Sequence, residues 1–146
     1  MKRRTIKILV VAAMRQEIEY LISCNSHINI VPEDASNNAK RICRNYWEPA
    51  RFGGQVAIFC CGVGGKKASK SIRCILQYVI PDSILSIGFS GSLTHKIKVG
   101  DFVIVPTSTH ETQPDVMLQF DTHLTHFLTS ILIAHRDSVQ TGAAAC

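Results

Sequence analysis

The sequence predicts an α/β protein in three layers, with a mostly parallel or mixed central sheet flanked by helices. Aliphatic runs typical of buried parallel strands alternate with segments of helical period. The 146 residues are 46% apolar and 18% charged, a composition that can form a sizeable core. No aliphatic run reaches the roughly 18 residues that a membrane span requires, so no membrane partner is expected. We predict a single domain over residues 1–146.

The first quarter of the chain contains the first strand and the first helix. Residues 5–13 are almost entirely aliphatic and predict a strand buried on both faces. Residues 15–23 carry apolar side chains at helical spacing and predict a helix. Residues 24–40 are polar and irregular, and residues 41–47 are interpreted as a further strand.

The middle of the chain predicts a strand followed by a long amphipathic helix. A turn is expected at residues 51–54, and residues 55–61 form a strongly apolar strand. The helix that follows carries one apolar stripe with a period of 3.6 residues. Pro81 and Asp82 are expected to end it. The stripe comprises Ala68, Ile72, Ile75, Leu76 and Val79.

The last part of the chain continues the alternation. Strands are predicted at 83–88 and 101–106, and a helix at 121–135. A final apolar stretch begins near Ser138 and has the character of a core strand. Because nothing follows to cover that stretch, the domain is expected to be truncated at its C-terminus.

Charge and cysteine content narrow the class of protein. Lysine and arginine outnumber acidic residues by 13 to 5 in residues 1–75, whereas the ratio is 3 to 6 in residues 76–146. The basic residues are scattered without interleaved aromatic residues, so no nucleic-acid partner is predicted. The six cysteines show no CxxC spacing, which favours reduced thiols and a cytoplasmic location. The basic N-terminus is interpreted as preceding a strand, not as a signal peptide.

Two motifs each have a structural and a functional interpretation. The segment Gly62–Lys67 matches neither the Walker A spacing nor GxGxxG. It is interpreted as a tight strand-to-helix turn, with a supporting role in an anion site as the alternative. His123 and His126 lie three residues apart on a predicted helix, but no third ligand is evident, so no metal site is predicted.

Glu17 is the first candidate for a functional carboxylate. It lies three residues after Met14, where the predicted first helix begins and the first strand has just ended. A carboxylate at a helix N-terminus is stabilised by the macrodipole, so a purely structural role is one interpretation. Its place near the carboxyl edge of the sheet makes an active-site role the other.

The turn Gly88-Phe89-Ser90-Gly91-Ser92 is the second candidate. It directly follows a predicted buried strand, and ligands of open α/β sheets bind beyond the carboxyl ends of the strands. Small residues allow close approach to the backbone, and serine hydroxyls and free N–H groups bind oxygen atoms.

Taken together, these segments resemble the nucleoside phosphorylase and nucleosidase superfamily, with its phosphorylase/hydrolase-like fold. The nucleosidase branch, which includes methylthioadenosine/S-adenosylhomocysteine nucleosidase, futalosine hydrolase and hopanoid-associated enzymes, is the most similar. The resemblance covers most of residues 6–106. The matching segments are Val11–Glu17, Cys61–Gly64, Pro81-Asp82, Gly88–Leu93 and Lys98–Asp101.

The resemblance implies cleavage of the N-glycosidic bond of a purine-type nucleoside through an oxocarbenium-like transition state. It implies that Glu17 is catalytic and activates the attacking water. It further implies hydrolysis without a cofactor, with phosphorolysis, and phosphate as co-substrate, as the alternative. A homodimer is expected. The substrate-binding residues implied are Ala13, Met14, Gly88, Phe89, Ser90 and Gly91.

Two departures from the family pattern qualify these expectations. The methylthioadenosine branch has a serine where Phe89 stands, and phenylalanine lacks that hydroxyl. The family's ribose-binding Met-Glu motif, and the Ser-Asp motif whose aspartate protonates the leaving base, would lie beyond residue 146. A catalytically inactive, truncated or degenerate homologue is therefore the remaining alternative.

Overall fold

The computed structural model describes most of the chain, in two compact units, Met1–Ser90 and Gly91–Cys146. The expectation of a single domain stays a prediction. The interpretation of residues 24–40 falls largely outside the described part, as do Arg51 and the last residue. The described residues are 3–23, 27–28, 37–49, 52–93, 95–110, 113–135 and 139–145.

The first unit is built on a sheet of five strands. They are β1 (Arg4–Ala12), β2 (His27–Ile28), β3 (Tyr46–Pro49), β4 (Val56–Cys60) and β5 (Val79–Ser86). Their order in the sheet is β2-β3-β4-β1-β5. Strand β1 pairs in parallel with β4 on one side and with β5 on the other. Strands β2 and β3 continue the sheet in antiparallel pairing.

Helices cover both faces of this sheet because its central strands are apolar on both faces. Helix α3 (Gly65–Ile75) packs Ala68 and Ile72 against one core cluster, which contains Leu9 and Phe59. Helix α1 (Glu19–Ser23) packs Ile22 into the second cluster, on Val10, Trp47 and Ile58. The predicted α/β fold with a mixed sheet flanked by helices is confirmed.

The predicted helix at 15–23 is wrong in its detail, because two short helices occupy this segment. A 3-10 helix spans Arg15–Glu17, and α1 begins two residues after it. The Glu17 carboxylate accepts a hydrogen bond from the Met14 N–H, which closes the first turn. Ile18 follows at 0% exposure and anchors the junction in the core.

Two other element predictions are corrected. The strand expected at 41–47 is wrong: helix α2 spans Asn37–Cys43, and β3 begins only at Tyr46. Helix α3 ends at Ile75, so Val79 belongs to β5 rather than to the helical stripe. Val79 is nevertheless buried in the same cluster as Ile75, which explains why it extended the apolar pattern.

Strand β5 also contains Pro81, which was expected to end a helix. Pro81 lies opposite Ile6 of β1. Within the described sheet β5 is the last strand in the order. A proline, which lacks an N–H, is tolerated at a sheet edge because one side of the strand needs no ladder hydrogen bond there.

The second unit contains three strands and one helix. They are β6 (Phe102–His110), β7 (Gln113–Gln119), α4 (Thr122–His135) and β8 (Val139–Ala145). The strands form a sheet with the order β7-β6-β8, in which β6 pairs with β7 antiparallel and with β8 in parallel. Helix α4 confirms the predicted helix at 121–135, and the Leu124 N–H donates to the N-cap residue Asp121 at Oδ1, at 2.8 Å.

No helix within the described ranges is long and apolar enough to cross a membrane. The homodimer and the cytoplasmic location stay predictions.

The buried carboxylate of Glu48 in β3 forms an ion pair with the N-terminal end of β1. Glu48 is 4% exposed, and its Oε1 accepts a hydrogen bond of 2.7 Å from the Tyr46 hydroxyl. Its Oε2 pairs with the Arg4 guanidinium at 2.8 Å. A buried carboxylate that loses a donor keeps the full desolvation penalty. This network therefore stabilises the fold rather than the candidate site.

We expect Tyr46→Phe to lower the free energy of unfolding by about 1–3 kcal/mol, because it removes one donor from the buried carboxylate. Urea denaturation measures the change. Asp82→Asn is the control, since it breaks the exposed ion pair of 2.9 Å with Lys7. Solvated pairs contribute little, so that variant should unfold at nearly the wild-type urea concentration. Equal losses in the two variants would contradict the assigned role of Glu48.

Candidate functional site

The carboxyl ends of three parallel strands lie level with one another in the first unit. Ala12 of β1 lies opposite Cys60 of β4, and Val11 lies opposite Ser86 of β5. The pairing continues past the strands: the Cys61 N–H donates to the Ala12 carbonyl, and the Ile87 N–H donates to the Val11 carbonyl, both at 2.9 Å. The three loops that follow therefore leave the sheet along one edge, where ligands of such sheets bind.

The Glu17 carboxylate joins two of these loops. Its Oε2 accepts the Met14 N–H at 2.8 Å, and its Oε1 accepts the Phe89 N–H at 3.2 Å. Glu17 is half-buried and is the third residue of the 3-10 helix, and its carboxylate reaches back to the N–H of the N-cap residue Met14. It thus stabilises a helix N-terminus, as the structural interpretation expects, and the active-site role stays a prediction.

Gly88 provides the space that this carboxylate occupies. A Cβ atom on Gly88 would lie 2.8 Å from Glu17 Oε1 and 3.3 Å from its Cδ. The first distance is shorter than Cβ contacts in real proteins allow. Any side chain at this position would displace the carboxylate, so Gly88 fixes where Glu17 can lie.

Two adjacent thiols hold the end of β1 from the neighbouring strand. The Cys60 thiol donates to the Ala13 carbonyl at 3.4 Å, and the Cys61 thiol donates to the Ala12 carbonyl at 3.3 Å. Burial raises the pKa of the Cys61 thiol, and the neighbouring Cys60 and Glu17 charges raise it further. A thiol that stays protonated is a poor nucleophile, so Cys61 acts as a hydrogen-bond donor.

The glycine loop after β4 forms the predicted strand-to-helix turn. Gly62 and Gly64 have φ angles of +88° and +93°, a backbone conformation that favours glycine. A Cβ on Gly62 would lie 2.7 Å from Cε of Lys67, so the Lys67 stem lies over this glycine. The alternative role in an anion site stays a prediction.

The predicted site residues are only partly brought together. Met14, Glu17, Gly88 and Phe89 are in direct contact through the carboxylate, and Ala13 adjoins them. The described residues show no hydrogen bond between Ser90, which is exposed, and Glu17. Gly91 is the first residue of the second unit, and a Cβ on it would meet no atom within 4 Å.

Sequence reasoning missed how Glu17 is held and supported. Phe89 binds Glu17 through its main-chain N–H, and a main-chain donor cannot be predicted from the residue type. The thiols of Cys60 and Cys61 had one available signal, namely adjacent cysteines at the end of a predicted strand. The cysteine spacing predicted only reduced thiols.

The remaining candidate features lie elsewhere. No group of three or more potential metal ligands occurs in the part of the chain that the structure describes. His123 and His126 are exposed on α4 of the second unit. That unit also has an open cleft of about 270 Å³ lined by Phe120, His126 and several threonines. None of the predicted site residues lines this cleft.

Comparison with known proteins relates this chain to an established family. The model of the family described as the phosphorylase superfamily matches residues 7–137. A curated relative, 5′-methylthioadenosine/S-adenosylhomocysteine nucleosidase from Maridesulfovibrio salexigens, is 28% identical over 105 residues. That alignment covers 71% of this chain and 42% of the relative.

Solved structures share the fold at low sequence identity. The nucleosidase of the same name from Neisseria meningitidis, in complex with methylthio-immucillin-A, gives a TM-score of 0.73 at 20% identity. The S. pneumoniae nucleosidase with the transition-state inhibitor MT-ImmA gives 0.71 at 19% identity. These alignments cover 97% and 96% of this chain, which spans 64% of each solved chain.

Proposed function

This chain belongs to the phosphorylase superfamily, and we propose that its site hydrolyses the N-glycosidic bond of a purine nucleoside. The observation that carries the proposal is the Glu17 carboxylate, held between the Met14 and Phe89 N–H groups above Gly88. A half-buried carboxylate fixed at the carboxyl edge of a parallel sheet is suited to take a proton from water.

The two main-chain hydrogen bonds leave the carboxylate able to act as a base. Each oxygen accepts one N–H, and each carboxylate oxygen has a further lone pair that can accept a hydrogen bond from water. In the proposed reaction the water proton passes to Glu17 while the water oxygen bonds to C1′ of the sugar. The C1′–N bond breaks and its electron pair leaves with the base, which takes up a proton from solvent water. The proton taken up by Glu17 then returns to solvent.

Holding the carboxylate in place before the reaction reduces the cost of orienting it. Ile18 is fully buried directly after Glu17, and Met14 lies two residues after the end of the core strand β1. Catalytic groups that need no reorganisation contribute more to rate than mobile ones. The fold therefore supports Glu17 as a fixed base.

The sugar is proposed to lie against the loops that bind Glu17. Ala13 and Met14 contribute the β1 side, and Gly88 and Phe89 contribute the β5 side. Ser90 provides a hydroxyl for a sugar oxygen. The nucleosidase name of the curated relative, and the methylthio-immucillin-A bound to a structural neighbour, support a nucleoside as the ligand.

Phosphorolysis is the second candidate, because the matching family includes phosphorylases. In that reaction phosphate replaces water as the nucleophile. Arg15 is exposed beside the carboxylate segment and is the described arginine nearest to Glu17 in sequence. A single arginine is a weak phosphate site, so hydrolysis is the favoured reaction.

Base release in phosphate-free buffer tests the proposal. The protein is incubated with methylthioadenosine, adenosine and inosine, and the free base is measured by chromatography. We expect release without added phosphate. Release that appears only on adding phosphate would favour phosphorolysis. No release from any of the three, by protein shown to be folded by circular dichroism, would contradict both candidates.

A further inference from the structure

The peptide group between Ala13 and Met14 makes one hydrogen bond at each of its two ends. Its N–H, which belongs to Met14, donates to Glu17 Oε2 at 2.8 Å. Its carbonyl, which belongs to Ala13, accepts a hydrogen bond from the Cys60 thiol at 3.4 Å. The C=O and N–H bonds of a trans peptide point in opposite directions. This one planar group therefore lies between the thiol and the carboxylate.

The Cys60 thiol is the only donor to that carbonyl among the residues that the structure describes. The carbonyl of Ala12, one residue earlier, accepts the Cys61 thiol at 3.3 Å and also the Cys61 N–H at 2.9 Å. Removing the Cys61 thiol would leave the Ala12 carbonyl paired with the main chain. Removing the Cys60 thiol would leave the Ala13 carbonyl without its described donor.

Cys60 is itself held firmly in the sheet. It is the last residue of β4 and lies opposite Ala12 of β1. Its N–H donates to the Asn45 carbonyl at 2.9 Å, and its half-buried side chain packs against the second core cluster. A side chain anchored on a strand of the scaffold orients its partner more precisely than one on a loop.

We propose that Cys60 is a positioning residue that orients the Glu17 carboxylate through the Ala13–Met14 peptide. Because this group is planar, a rotation that turned its N–H away from Glu17 would also break the bond to the thiol. A hydrogen bond at the carbonyl also polarises the peptide, which strengthens donation by its N–H. The expected effect on base release rests on the proposed function, in which Glu17 takes the proton from water.

The kcat for base release by Cys60→Ala and Cys60→Ser tests the inference. We expect Cys60→Ala to lower kcat by about 2- to 10-fold, the range that one hydrogen bond between uncharged groups contributes. Cys60→Ser should stay within twofold of the wild type, because its hydroxyl can donate to the same carbonyl. Both variants remove the sulfur, so a role confined to packing would lower kcat equally in the two.

Two further variants show whether the loss in Cys60→Ala acts through Glu17. Cys74→Ala is the matched control, because Cys74 is a half-buried thiol of α3 outside the contacts of Glu17, and its kcat should not change. In the Glu17→Gln background, Cys60→Ala should cost less than twofold, since residues that act as a unit are non-additive.

Three results would overturn the inference and leave the proposed function standing. They are a kcat of Cys60→Ala within twofold of the wild type, an equal loss in Cys60→Ser, and an undiminished loss in the Glu17→Gln background.

The amide proton of Met14 tests the positioning even if the wild type releases no base and the proposed function fails. The chain has only three methionines, so ¹⁵N-methionine labelling gives few NMR signals, and Met14→Leu identifies the one required. We expect this signal to move upfield in Cys60→Ala, because its hydrogen bond to Glu17 weakens, and to keep its place in Cys60→Ser. An unchanged signal in Cys60→Ala overturns the inference.

Discussion

Glu17→Gln lowers the rate of base release by about 10²- to 10⁴-fold, the range that a general base contributes. Glutamine has the shape of glutamate, and its amide oxygen can still accept one main-chain N–H. It cannot take a proton from water at neutral pH. Its NH₂ group would also face one of the two N–H donors, from Met14 or Phe89, that now bind the carboxylate. The rate is measured as free base formed per unit time.

Glu19→Gln is the control for this variant. Glu19 lies two residues further on, is exposed, and is the first residue of α1. The substitution removes the same charge from the same region, so a general electrostatic effect would appear in both variants. We expect base release by Glu19→Gln to stay near the wild-type rate. Equal losses in the two variants would mean that Glu17 does not act as the base.

Gly88→Ala has the second largest expected effect, about 10²-fold, through displacement of the carboxylate. The added Cβ would lie 2.8 Å from Glu17 Oε1, so the carboxylate must move away. Misplacement of a reacting group by about 1 Å can cost 10²-fold in rate. The atom that must move is the end of a flexible side chain, so thermal stability should barely change. Base release and the melting temperature are measured together.

Two comparisons test whether the loss of activity in Gly88→Ala is caused by displacement of the Glu17 carboxylate. Gly65→Ala is the control, because a Cβ at that glycine meets no atom within 4 Å. In addition, Gly88→Ala should cost little further activity when Glu17 is already glutamine, since residues that act as a unit are non-additive. A full 10²-fold loss in the Glu17→Gln background would show that Gly88 acts independently of the carboxylate.

The sequence predicted the layers of the fold better than the limits of its elements. Buried strands and the main helix of the first unit follow from continuous apolar runs and from a stripe of period 3.6. The boundary between α3 and β5 could not be predicted from these patterns. Ile75 and Val79 lie in the same core cluster, so Val79 continues the apolar spacing of the helix. Strand β7 was not predicted at all, and the helix α2 was interpreted in part as a strand.

The sequence predicted which residues form the candidate site, but not the contacts between them. Glu17 and the turn at Gly88 were both placed beyond the ends of strands, which is where the structure has them. Their contact depends on the register of β1 against β5, and pairing register is not encoded in either segment alone. The hydrogen bond from the Phe89 N–H likewise does not depend on the residue type. The phenylalanine side chain therefore gives no indication of this contact.

The sugar product formed in phosphate buffer tests the central claim most directly. Mass spectrometry distinguishes a free sugar from a sugar 1-phosphate after the protein has acted on a nucleoside. If water activated by Glu17 is the nucleophile, the free sugar is formed even with phosphate in excess, and its formation stops in Glu17→Gln. A sugar 1-phosphate as the product, or free sugar formed equally fast by Glu17→Gln, would contradict the account.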